Sequence, residues 1–171
     1  QGNFIIITHK ALRTLYQGKD MVREYAAYRN DFAGGGYDTS IVDIEQLYEQ
    51  FAHGIIKHSL AIRNFSNFIE TYSTKPRPYY ILLMGKGQLY SSTRRNANRY
   101  KLNSIPTFGN PGADELLTAW QHDKFSHLAI SRLSVYTPRE IKVYLDKLQW
   151  YERQQRESAG TGEQSVLNKD W

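Results

Sequence analysis

The chain opens on an unbroken apolar run over residues 4–8, in which Phe4, Ile5, Ile6 and Ile7 lead into Thr8. A run this short and this rich in β-branched side chains fits a strand buried on both faces of a parallel sheet. From 10 to 32 the spacing becomes helical, with Ala11, Leu15, Val22, Tyr25 or Ala26, and Arg29 on one face, until Gly34, Gly35 and Gly36 supply a stop. Residues 39–44 predict a second strand. Ile44, Leu47, Tyr48 and Phe51 then recur at helical intervals up to Gly54, and Ile62, Phe65, Phe68 or Ile69, and Tyr72 repeat the spacing in a further helix. Pro76 and Pro78 end that helix before a third apolar strand over 79–84.

The stretch 85–112 is polar, rich in Gly, Asn, Ser and Arg, and longer than an ordinary connection, which predicts a functional or mobile loop. A fourth strand is expected within 126–133, around Leu128, Ala129 and Ile130. Thr137, Pro138 and Glu140 have the spacing of an N-cap, a first-turn proline and the reciprocal acid of a capping box. Ile141, Tyr144 or Leu145, Leu148 and Tyr151 give the helix that follows its buried stripe. Periodicity is lost over 154–164, which predicts a linker, and no internal repeat is present.

Strands alternating with helices of this length require right-handed crossovers, so the pattern predicts an α/β fold: a mostly parallel sheet of about four strands, flanked by helices in three Rossmann-like layers. A single domain over 1–153 is expected, with 154–171 as a linker and lead-in. Ligands gather at the carboxyl ends of such strands. Those ends carry Thr8 and His9, Asp43, Gly85 and Lys86, and Ser131 and Arg132.

Length, at 171 residues, suits one compact unit, and 40% apolar with 23% charged residues is a globular composition. Net charge is +5, with part of the excess in Arg94, Arg95, Arg99 and Lys101. A solvated loop explains those cations better than a nucleic-acid partner does, because a few exposed cations are common on soluble surfaces. The apolar runs are too short to cross a bilayer and no signal peptide or lipidation signal is present, so no membrane insertion is expected. The sequence contains no cysteine. A disulfide frame, a thiolate metal site and a cysteine nucleophile within these residues are thereby excluded.

Three motifs invite chemistry. Gly85, Lys86 and Gly87 follow a strand, but the Walker spacing and the G-x-G-x-x-G pattern are both absent, so a plain glycine turn is the better account than a nucleotide loop. His53 and His58 are five apart, as are His122 and His127 with Asp123 nearby; helical zinc pairs sit four apart around a glutamate, so surface or partly buried histidines are expected instead. No G-x-S-x-G elbow exposes a serine for a hydrolase triad. Neither a metal nor a cofactor is expected.

The order of the segments resembles the first half of the gingipain-type C25 cysteine peptidase domain, a family of the Bacteroidetes that includes the sortase-like component of the type IX secretion system. The similar pieces are Ile5 to Thr8, Gly34 to Tyr37, Ile41 to Asp43, Ile44 through Phe51 with Gly54, Ala61 to Phe65, and Tyr80 to Gly85. Ile105 to Thr107, Asp114, Leu128 to Leu133, Thr137 to Glu140 and Lys147 to Glu152 follow in the same order, so the resemblance runs from about Phe4 to Trp171. It implies a caspase-like half-domain whose catalytic histidine and cysteine lie in a second half, toward which Asn168 to Trp171 would lead. The partners it implies are that catalytic half and a protein or peptide substrate. The implied location of the parent protein is extracellular, at the cell surface or in the periplasm.

Two positions depart from the family, which usually has an aspartate after the glycine of the third strand and a glycine before the arginine of the fourth; here they are Lys86 and Ser131. These departures reshape the groove wall at the strand ends, so no substrate preference is carried over; with the catalytic pair in the second half, the resemblance implies no catalytic residue in this chain. Gly85, Lys86, Asp114 and Arg132 are expected near the substrate cleft, because they fall at or near strand ends. An ordinary structural ion pair is the alternative for Arg132 and Asp114. The role implied for the whole is support of the catalytic half, the alternative being a caspase-like binding or assembly module without chemistry.

Overall fold

The computed structural model describes residues 3–73, 80–119, 126 and 128–161. Pro76, Pro78, Tyr79, His122, Asp123, His127 and residues 162–171, on which several expectations rested, lie outside that range. Four parallel strands, β1 (Phe4–Thr8), β2 (Thr39–Asp43), β3 (Tyr80–Met84) and β4 (Ala129–Leu133), form one sheet in the order β2-β1-β3-β4. The two central strands are the two continuous apolar runs. The outer ones mix polar residues into the sequences Thr-Ser-Ile-Val-Asp and Ala-Ile-Ser-Arg-Leu and are less buried, as edge positions allow.

Alternation along the strands divides the core. Ile5, Ile7, Ile81 and Leu83 pack with the apolar faces of α2 (Ile44–Phe51) and α3 (Leu60–Tyr72). Phe4, Ile6, Leu82 and Met84 pack on the opposite face with α1 (Met21–Asn30) and α6 (Pro138–Thr161). The result is the three-layer α/β arrangement that the pattern predicts. The chain leaves β1 toward β2 and leaves β3 toward β4, so connections diverge between the two central strands and open a crevice at their carboxyl ends. No described helix is long and apolar enough to cross a membrane.

Three local expectations are corrected. Residues 10–32 are not one helix: a 3-10 turn at Lys10–Arg13 precedes an antiparallel bridge between Tyr16 and Lys19, and α1 begins only at Met21. Gln17 and Gly18 turn the bridge with φ of 53° and 76°, and the Asp20 carboxylate accepts from the Val22 and Arg23 N–H groups to cap α1. Leu12 enters the core while Leu15 stays exposed. The stretch 85–112 is not a plain loop: α4 (Tyr90–Arg95) and α5 (Ala97–Leu102) lie within it, and Asn96 caps the second through the Asn98 and Arg99 amides.

The third correction concerns the expected linker, because α6 continues as helix to Thr161. It has a reason to persist. Glu152 pairs with Arg29 at 2.9 Å and hydrogen-bonds the Tyr28 hydroxyl, and the Arg156 guanidinium donates to the Ala33 carbonyl at 2.6 Å. At its start, the Glu140 amide bonds the Thr137 hydroxyl at 3.4 Å, while the Glu140 carboxylate accepts from the Tyr136 amide at 2.7 Å, one residue before the expected partner. Between Tyr144 and Leu145 it is Leu145 that is buried.

Candidate functional site

At the carboxyl end of β4 the Arg132 side chain turns inward. Its Nε and Nη2 form a two-pronged pair with Asp114, at 2.6 and 2.8 Å. Nη1 donates to the Gly85 carbonyl at 2.9 Å and the Ile105 carbonyl at 2.8 Å, and Nη2 reaches the Pro106 carbonyl at 3.4 Å. All five guanidinium N–H bonds thus have partners, which ties β4 to the turn after β3 and to the 3-10 turn at Asp114–Leu117. Burial alone would make the Asp114 carboxyl harder to ionise. Hydrogen bonds and charge from Arg132, with a hydrogen bond from Thr107, outweigh it and hold the group below its ordinary range.

The turn after β3 is built around that fork. Gly85 has φ of 150°, and a Cβ there would come within 2.7 Å of Ile105 and Ser104 side-chain atoms. A Cβ on Gly87 would sit 3.1 Å from the Arg132 guanidinium carbon. The Lys86 carbonyl accepts from the Ser104 and Ile105 amides, and its ammonium lies 5.7 Å from the centre of the Tyr136 ring. Gly85, Lys86, Asp114 and Arg132 therefore converge, with Asp114 and Arg132 joined as an ion pair. At the ends of β1 and β2, Lys10 and His9 meet the Glu45 carboxylate at 2.8 and 3.5 Å, and the Asp43 carboxylate caps α2 at the Glu45 amide. The hydrogen bond from Lys10 lowers the Glu45 pKa.

A groove of about 640 Å³ is lined in large part by residues of the 85–112 stretch, for which the pattern predicts a functional or mobile loop. Its walls include Ile55, Ile56, Leu89, Tyr90 and Phe108, with Lys57 and Arg94 among them. The Lys57 ammonium sits 4.0 Å from the centre of the Tyr100 ring and donates to the Tyr100 carbonyl, and desolvation lowers its pKa. Arg63 stacks on Phe108 at 5.2 Å. One signal for the groove was legible: residues 85–113 contain Lys86, Arg94, Arg95, Arg99 and Lys101 and no carboxylate.

The described residues offer anion contacts, apolar walls and fixed carbonyls. A thiol is missing from the sequence, and no group of three or more His, Asp or Glu among the described residues is placed to hold a metal. His58 instead accepts from the Leu60 amide at the start of α3. The model of peptidase family C25 matches residues 1–168. The chain belongs to peptidase family C25. The C25 chain is also similar to the crystal structure of dimeric latent PorU from Porphyromonas gingivalis, with a TM-score of 0.67 and 20% identity. The similarity covers 94% of this chain and 16% of that one, and at this identity it establishes a shared fold. No curated protein matches the C25 chain.

Proposed function

We propose that this chain is the first, non-catalytic α/β half of a gingipain-like cysteine endopeptidase domain, packing against the catalytic half and forming part of its substrate cleft. The observation that carries the reading is a C25 match over residues 1–168 in a sequence without cysteine. A cysteine peptidase needs a thiolate, commonly made nucleophilic by a neighbouring histidine, so the attacking sulfur is supplied from outside these residues. What the half contributes is a stiff floor. The Arg132 fork fixes the turn after β3, with Gly85 and Lys86 at its rim, where a substrate strand would pass. Protein or peptide substrates, and a place in the periplasm, at the cell surface or outside the cell, belong to the same reading.

The test is to produce the chain within its longer polypeptide and to assay cleavage of a mixed peptide library with and without a thiol-alkylating reagent. Cleavage abolished by alkylation is the expected result, with none from the 171-residue chain alone. Cleavage that survives both alkylation and repurification would sink the proposal. A folded but inert long form would move the assignment to a caspase-like binding or assembly module.

A further inference from the structure

The groove between the 52–59 loop and the α4–α5 pair has no part in the function proposed above, and its chemistry is specific. Its apolar wall is exposed: Ile55 is 54% accessible, Ile56 66% and Tyr90 73%. These three side chains line one wall together and leave apolar surface open to an occupant. None of the residues lining it is Asp or Glu. Arg94 points charge at it, and no described carboxylate pairs with Arg94, Arg95, Arg99 or Lys101. Of the five cations of residues 85–113, Arg94 lines the groove, Arg95, Arg99 and Lys101 follow it on α4 and α5, and Lys86 lies at the turn after β3.

The groove is also held in shape. Lys57, which lines it, has φ of 60°, a left-handed conformation that non-glycine residues rarely adopt. Just before it stand the two exposed isoleucines. Lys57 is anchored on Tyr100 by its ring and carbonyl contacts, which leaves two of its three N–H donors for another group.

We propose that the groove is a docking site for a protein partner, entered by an extended peptide segment that carries a carboxylate side chain next to an aliphatic or aromatic one. The carboxylate meets Arg94 and Lys57, and its neighbour covers Ile55 and Ile56. Single-stranded nucleic acid fits less well, because it stacks on successive open rings, and of Tyr90, Tyr100 and Phe108 in the lining the last two are already covered by Lys57 and Arg63. The site requires neither a catalytic half nor a cleft role for Arg132.

Fluorescence anisotropy on the 171-residue chain tests it. The probes are labelled peptides of about eight residues, long enough at roughly 3.3 Å per residue to run through the groove. One set carries Asp or Glu beside Leu or Phe, a second carries Asn or Gln in place of the acid, and an oligothymidylate serves as the nucleic-acid probe. The acidic set should bind about tenfold more tightly than the amide set, as a charge-assisted contact predicts, and should weaken with added salt. Arg94→Glu should weaken it about tenfold, and Ile56→Ser should also weaken it, both with unchanged thermal midpoints. Equal binding of the amide set, tighter binding of the oligothymidylate, undiminished binding by both variants, or no binding of any peptide would each overturn the assignment. Alkylation-sensitive cleavage by the longer polypeptide is read separately, so either proposal can fail without the other.

Discussion

Arg132 in β4 and Arg94 in α4 carry the same guanidinium, and their surroundings assign them opposite work. Arg132 is mostly buried, and each of its N–H groups meets a carbonyl or the Asp114 carboxylate. Arg94 is exposed on the short helix α4 with no described carboxylate beside it. The first is spent on holding the chain together. The second remains available, beside the exposed Ile55, Ile56 and Tyr90. A cation's role is therefore read from how many of its donors are already taken, not from its place near a strand end.

The comparison breaks most visibly if Arg132 is removed. Arg132→Ala leaves Asp114 and three carbonyls without their partner, and equilibrium urea unfolding should show a loss of about 3–5 kcal/mol. Arg132→Lys keeps the charge without the fork and should recover only part of it. A loss below about 1 kcal/mol in the alanine variant would mean that the fork does not hold this end of the sheet. Gly85→Ala tests the same turn through its backbone: its φ and the close Ile105 and Ser104 atoms predict a cost of about 1–3 kcal/mol. Wild-type stability there would show that the turn can relax.

Smaller effects sharpen the contrast. Glu152→Gln weakens the partly buried pair with Arg29 and should cost about 1–2 kcal/mol in the same assay, with proteolysis of 154–161 accelerating as the end of α6 detaches. Asp114 also predicts a pH dependence. Its folded pKa is depressed, so its contribution is present above the ordinary carboxylate value of about 4 and is lost as pH falls through the folded value. The stability gap between wild type and Asp114→Asn should therefore narrow below about pH 4, and a constant gap would assign the effect to shape rather than charge. The smallest effect belongs to the other arginine: Arg94→Glu should change stability by less than about 0.5 kcal/mol. A larger loss would place Arg94 in the scaffold with Arg132.

The amino-acid order determined the alternation of strands and helices, the buried runs of β1 and β3, the stripes of α2 and α3 and the start of α6. These follow from local rules, since burial on one or both faces fixes hydrophobic spacing and caps fix where helices begin. Local spacing also explains the misreadings. Ala11 and Leu15 fit a helical period that extends back from Val22 across the turn at Gln17 and Gly18, and only the structure shows Asp20 capping α1 after that turn. The end of α6 lacks an apolar stripe because it has left the sheet and is held by Glu152 and Arg156 against Tyr28, Arg29 and Ala33, residues more than a hundred positions earlier. Tertiary structure alone decided that Arg132 would meet Asp114, Gly85, Ile105 and Pro106 together, and that the 52–59 loop would face α4 and α5 across a groove. Such contacts depend on where distant segments arrive once the layers pack, and a one-dimensional period carries no information about which donors will by then be satisfied.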